Sequence, residues 1–166
     1  MILRTARFAD LDATTLYALL RLRVDVFVVE QRCPYPDLDG RDTEPGTVHV
    51  WFEEEGGLVA YLRILEEERG ARIGRVCTDA AHRGAGLSGR LVAAALDLIG
   101  DRETVLDAQS YLVGFYARFG FEATGPEFLD DGIPHVPMRR GPTISPGERS
   151  SMAARPPDRR SSAAGR

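Results

Sequence analysis

The segment Arg83-Gly84-Ala85-Gly86-Leu87-Ser88-Gly89 leaves a strand-like run, Arg72 to Thr78, and enters a helix-like run, Ser88 to Ile99, and its composition suits the capture of a diphosphate. Glycines without a Cβ can take positive φ and bring their amides close to bound oxygens. The first N–H groups of a helix have no internal acceptor, and the aligned peptide dipoles place about half a positive charge there, so an anion is favoured. Arg83 adds a planar fork of donors. A triphosphate-binding loop is excluded because it needs Gly-Lys-Ser/Thr, and all 21 basic residues of this chain are arginine. A dinucleotide-binding turn matches the string Gly84 to Gly89 literally, with Asp107 near the spacing of a ribose-binding acid, although the glycines lie in mid-chain behind consecutive antiparallel strands. That oxidoreductase alternative would show itself by a preference for nicotinamide dinucleotides.

A second segment, Phe115-Tyr116-Ala117-Arg118-Phe119-Gly120-Phe121, follows in order. Together the two resemble the Gcn5-related N-acetyltransferase (GNAT) superfamily. Val26 to Gln31, Cys33 to Gly40 and Asp131 to His135 resemble its ElaA-like branch, and the similarity spans about Leu16 to Arg139. Ser88 departs from the pattern, standing where the superfamily usually has Gly or Ala. The resemblance implies an α+β acyl-CoA N-acyltransferase fold, a mixed, mostly antiparallel sheet flanked by helices, with acetyl-coenzyme A as co-substrate. It also implies that the backbone of Val76, Cys77 and Thr78 meets the pantetheine amides. Arg83, Gly84, Ala85, Gly86, Leu87, Ser88 and Gly89 would hold the pyrophosphate, and Tyr116 would be the general acid beside the sulfur.

Transfer of acetyl to an amine requires that amine to be neutral. An ammonium near pKa 10.4 gives up its proton at pH 7 at a cost of about 4–5 kcal/mol unless the site supplies a base. Glu30, Asp107, Asp39 and His135 are the candidates, with Glu30 and His135 foremost as catalytic residues beside Tyr116. Ser88 and Ser110 lack an adjacent base and no Gly-x-Ser-x-Gly elbow is present, so direct attack is preferred over a covalent route. A non-catalytic module that binds or senses acyl-coenzyme A is the alternative from a different class.

These groups need a scaffold. Leu3 to Phe8 reads as a strand; Asp10 and Asp12 offer caps for a helix from about Ala13 with Leu16, Leu19, Leu20 and Phe27 near one face. A Pro-, Asp- and Gly-rich loop, Cys33 to Gly46, has the length of a binding loop. Thr47 to Glu53, Leu58 to Leu65 and Ala71 to Thr78 read as three antiparallel strands. After the helix closed by Gly100 come a strand from Thr104 to Ala108, a short helix from Tyr111 to Phe119, and a last hairpin made of Phe121 to Phe128, a turn at Asp130-Asp131-Gly132, and His135 to Arg139. Asp37, Asp39, Asp42, Asp130 and Asp131 would face the acceptor and suit a cationic one.

The 166 residues make one domain, 1–140, followed by a tail, 141–166, whose Pro, Ser, Gly, Ala and Arg cannot offset the entropy of ordering. Residues 1–140 carry 16 arginines against 23 acids, a net −7, which argues against nucleic acid and for an amine, whether a small molecule or a peptide. Neither a signal peptide nor a membrane-spanning run is read, so a cytoplasmic protein without membrane partners is expected; a homodimer is compatible with the chain. Cys33 and Cys77 read as reduced thiols, and with His49, His82 and His135 scattered, no metal is expected.

Overall fold

The computed structural model describes residues 1–55 and 57–142, so the expected tail lies outside the described residues beyond Pro142. One sheet forms the centre: β1 (Ile2–Arg7), β2 (Val48–Glu54), β3 (Gly57–Glu67), β4 (Gly70–Thr78), β5 (Glu103–Gln109), β6 (Glu122–Ala123), β7 (Phe128–Asp130) and β8 (Ile133–Arg140). Its order is β1-β2-β3-β4-β5-β8-β6, with β7 also paired to β8. Every pairing is antiparallel except β4 with β5.

Both sheet faces are covered, and this explains why β3 is buried continuously from Val59 to Leu65 where a half-exposed strand would alternate. Ala60, Leu62 and Ile64 point to one side with Val50 and Phe52, against Leu91, Val92, Ala95 and Ile99 of α2 (Leu87–Ile99). Tyr61 and Trp51 point to the other, against Leu19, Leu22 and Val26. These belong to α1 (Ala13–Arg23) and to the π-helical segment Val24–Glu30 that continues it. Asp12 is the cap, its Oδ1 accepting the Thr15 N–H at 2.7 Å. Because the helix widens beyond Arg23, the inward residues are Leu19, Leu22, Arg23 and Val26; Leu16, Leu20 and Phe27, expected on the buried face, are not fully buried.

The last hairpin is more broken than its sequence reads. In its first arm only Glu122–Ala123 and Phe128–Asp130 are strand; Pro126, which has no N–H to donate, lies in the interruption. Asp131 and Gly132 both take positive φ, +48° and +82°, between the paired residues Asp130 and Ile133, as a two-residue primed turn demands. Short α3 (Val113–Ala117) follows a 3-10 turn at Ser110–Leu112, splitting the expected Tyr111 to Phe119 helix.

Arg23 is wholly buried, and two carboxylates and a main-chain carbonyl explain how. Its Nε donates to Asp37 Oδ2 at 2.9 Å, its Nη1 to Asp42 Oδ1 at 2.7 Å and its Nη2 to the Asp37 carbonyl at 2.8 Å. Arg63 is bidentate to Asp39 at 2.8 and 2.6 Å and also reaches Asp42 at 2.9 Å; Arg75 Nε lies 2.8 Å from Asp37. Three cations and three anions thus fasten the 33–46 loop beneath α1. Burial alone would raise the Asp39 and Asp42 carboxyls, but Arg63 and Arg23 respectively outweigh it and hold both below the ordinary range. The expectation that Asp37, Asp39 and Asp42 await a cationic acceptor is therefore corrected: the protein's own arginines occupy them.

His49, also fully buried, completes the cluster. Its Nε2 faces the Asp42 carbonyl at 3.1 Å, and a carbonyl only accepts, so Nε2 carries the proton and Nδ1 accepts from the Tyr61 hydroxyl at 2.7 Å. Burial pushes the imidazole below its usual pKa.

Arg23→Met should destabilise the fold by about 3–5 kcal/mol in urea unfolding, because it strands buried carboxylates. A depressed His49 favours the folded state fully above about pH 6.5 and progressively less as pH falls below that value, where the unfolded chain takes up a proton first. His49→Gln keeps a donor and an acceptor without titrating, so wild type should lose stability relative to this variant between pH 7 and 5. Parallel stability profiles would refute the neutral tautomer.

Candidate functional site

β4 and β5 pair for only three residues, Gly70↔Glu103, Ala71↔Thr104 and Arg72↔Val105. Beyond Arg72 they part. The cause is an extra residue in β4: its register with β3 shifts between Cys77↔Tyr61 and Gly74↔Arg63, and Arg75 stands there at φ +56°, a conformation uncommon for any residue with a Cβ. Asp37 and Asp39 hold its guanidinium, which lies 5.5 Å from the Tyr35 ring centroid. The facing edges of Ile73 to Thr78 and Leu106 to Gln109 line a cleft of about 510 Å³ between them. Gln109 Nε2 donates to Gln31 Oε1 at 3.2 Å and Cys33 Sγ to the Asp131 carbonyl at 3.3 Å, ties that connect its walls.

β4 runs directly into the glycine turn. Gly84 and Gly86 take φ of +82° and +72°, and a Cβ on either would meet nothing within 4 Å, so conformation and not crowding requires glycine there. Gly86 is the residue before α2, and no side chain caps it. Among the described residues the amides of Leu87, Ser88 and Gly89 have no acceptor, and they border a hollow of about 340 Å³ that shares Thr78, Arg83 and Ser88 with the cleft. Unpaired donors, the helix dipole and open space fit a diphosphate. The helix begins at Leu87, one residue earlier than read, and the Ser88 hydroxyl is 2.9 Å from that of Thr78, which joins the end of β4 to the start of α2.

Tyr116, Glu30 and His135 all line the cleft. Tyr116 is 6% exposed, packed edge-on to Phe115 and Phe121, and its hydroxyl has no hydrogen-bond partner among the described residues. Burial, reinforced by Tyr111, pushes it up to about 12, so it holds its proton. His135 Nδ1 is 2.8 Å from the Ile133 carbonyl, which fixes the proton on Nδ1 and leaves Nε2 as an acceptor in the neutral ring. Glu30 is claimed elsewhere: its oxygens receive Arg83 Nη1 and Nη2 at 2.7 and 2.8 Å, and this pairing holds its carboxyl below the usual range. Asp107 accepts from Arg72 at 2.7 Å. Asp130 and Asp131 line the cleft with carboxylates that have no partner among the described residues. Cys77, between Val76 and Thr78, is buried in the α1-side core, and burial pushes its thiol up.

Arg75, Tyr35, Gln31 and Gln109 carry much of the cleft and were not singled out from sequence. The available signal was Gly74, an isolated glycine inside an otherwise alternating strand, which marks bulges. Among the described residues no group of three His, Cys, Asp or Glu is placed to hold a metal, and no helix is long and apolar enough to cross a membrane.

Comparison with known proteins agrees with this geometry. The chain is 40% identical over 139 residues to the Protein ElaA of Escherichia coli, covering 80% of this chain and 91% of that one. A UPF0039 protein of Mycobacterium tuberculosis is 54% identical over 143 residues, covering 83% and 92%. The crystal structure of Escherichia coli ElaA superposes with a TM-score of 0.81 at 38% identity over 84% of this chain and 99% of that one. An acyl-CoA N-acyltransferase from Pseudomonas aeruginosa gives a TM-score of 0.79 at 43% identity over the same shares. The fold of the dinucleotide-binding alternative is thereby overturned, as the single parallel strand pair among the described residues already requires. Residues 23–141 match the family described as the acetyltransferase (GNAT) domain, and the chain belongs to that family.

Proposed function

We propose that this protein is an N-acetyltransferase that moves acetyl from acetyl-coenzyme A to a primary amine, small molecule or peptide, by direct attack. The observation that carries this reading is the gap between β4 and β5 leading into the glycine turn. The edge of β4 from Val76 through Cys77 to Thr78, parted from β5, suits the amides of an extended arm, and the amides from Gly84 to Gly89, with Arg83, suit its diphosphate. The thioester carrier supplies an activated acetyl group; the protein's residues manage position and protons.

The amine enters the cleft past Asp130 and Asp131, whose free carboxylates attract its ammonium form. His135 Nε2 accepts a proton from the amine, since Nδ1 is committed to the Ile133 carbonyl. The amine nitrogen then forms the C–N bond as the C–S bond breaks. Tyr116 gives its proton to the departing sulfur. A phenol near 12 protonating a thiolate near 8.5 is uphill by about 5 kcal/mol, but the desolvation that raises the phenol also raises a thiol in the same cleft and narrows that gap. The ammonium gives one proton to His135; the second leaves the nitrogen as the amide forms and restores the Tyr116 phenol, so amide and free thiol result with one net proton left on His135 for solvent. Glu30, a carboxylate whose ordinary pKa lies below that of an imidazole, is the poorer proton acceptor of the two.

Release of free thiol from acetyl-coenzyme A in the presence of an amine panel tests the reading; tight binding without amine-dependent release would instead identify a binding or sensing module. Tyr116→Phe should lower kcat about 100-fold while leaving acetyl-coenzyme A affinity within about twofold. His135→Gln should lower kcat/KM about 100-fold at pH 7 and recover part of that loss as pH rises toward the amine's own pKa. An unchanged pH–rate profile in that variant would remove His135 as the base.

A further inference from the structure

The outer fork of the Arg83 guanidinium and its Nε are both engaged. Its Nη1 and Nη2 donate to the two oxygens of Glu30 at 2.7 and 2.8 Å, and its Nε donates to the Thr78 carbonyl at 3.1 Å. The paired bonds to Glu30 use the same planar fork that takes two oxygens of a phosphate, and one fork cannot serve both at once. Arg83 borders the glycine hollow and the cleft together, whereas Glu30 borders the cleft alone, on the π-helical segment that continues α1. Both side chains are nearly half exposed, 44% for Arg83 and 46% for Glu30, so their attraction is screened and the pair can exchange.

We propose that Glu30 is a resident competitor for the phosphate-binding fork of Arg83, released toward the amine-binding half of the cleft when the carrier's diphosphate takes its place. The proposal rests on the acetyl-coenzyme A reading above and adds a cost to carrier binding that this chain imposes on itself. The anchor to Thr78 keeps the guanidinium at the end of β4 throughout, so only the outer edge changes partner. A carboxylate set free in this way stands at the cleft with no cation assigned to it, where an ammonium is its natural next partner. Glu30 thus acts as a positioning residue through Arg83. A merely structural clamp would act in the opposite sense: removing it would loosen the wall beside the glycine turn and weaken the carrier.

The test is calorimetric titration of coenzyme A, and of pantetheine as a probe without the diphosphate, into wild type, Glu30→Gln, Arg83→Gln and the double variant, with thermal unfolding to check each fold. Glu30→Gln, and Glu30→Ala likewise, should tighten coenzyme A about fivefold and leave pantetheine unchanged. In the Arg83→Gln background, removing Glu30 should change nothing. Unchanged or weaker coenzyme A binding by both Glu30 variants would overturn the proposal. Equal tightening with and without Arg83 would overturn it too, since that outcome reports repulsion through space and not exchange at the fork. Coenzyme A binding by none of the proteins, wild type included, would instead bring down the acyl-carrier reading on which the exchange depends.

Discussion

The parting of β4 from β5 after Arg72 and Val105 is the constraint on which the rest of this structure depends. A parallel pair that ends after three residues leaves main-chain donors and acceptors on both facing edges, and such groups must find water or a ligand. The split is built into β4 by one extra residue against β3 and by the left-handed backbone of Arg75. Strain of that kind, costing about 1–3 kcal/mol, persists only where surroundings over-determine it. Here they do: the Arg75 guanidinium is held by Asp37 and Asp39 and lies against Tyr35. The cleft, the direction in which β4 delivers the glycine turn, and the placement of Tyr116 opposite all follow from that single displaced residue.

The buried charge cluster is the means by which the displacement is kept. Removing Arg23, Arg63, Asp37 and Asp42 from water is expensive, and mutual attraction compensates only when nearly every donor and acceptor is matched. Arginine can supply that matching where lysine could not, because its planar donors engage two carboxylates and a carbonyl at once. Arg23 does so, and in the process connects the end of α1 to Asp37 and Asp42 in the loop that forms one wall of the cleft. Acceptor-side geometry is therefore set by ionic contacts far more specific in direction than apolar packing. The same neutralisation leaves Asp130 and Asp131, among the described residues, as the unpaired carboxylates at the cleft, so of the two acidic loops expected to face an acceptor one is taken up by the protein's own arginines.

Features encoded by local rules were legible in the sequence. The glycines of the turn at 84–89, the helix that follows, Gly100 as its stop and the succession of strands along the chain are all consequences of backbone freedom or of residue period. The π-helical widening after Arg23, the bulge at Arg75 and the shortness of β6 were not legible, because each is imposed by partners distant in sequence. Arg23 and Arg63 did carry a hint. They stand in line with Leu19, Leu22 and Val26 on a helix face and with Tyr61 on a strand face, positions where a charge needs a buried partner. Nothing in their spacing named Asp37, Asp39 and Asp42 as those partners. The pairing of Glu30 with Arg83, 53 residues apart, was equally invisible, although both had been singled out for separate roles.

Two weak acids on opposite banks of the cleft show how burial can assign different chemistry to neighbours. Cys77 and Tyr116 both line it and both are raised by desolvation. A nucleophilic cysteine must ionise, so raising its pKa removes the reactive species, and among the described residues no base or cation touches the sulfur to restore it. A proton donor must stay protonated until the leaving group needs it, so the same shift keeps the tyrosine in its useful form at any neutral pH. One environment therefore suppresses a covalent acyl-enzyme at Cys77 and preserves a donor at Tyr116. For the acetyl transfer proposed above, the same environment argues for an amine that would meet the thioester directly, without a covalent stage at Cys77.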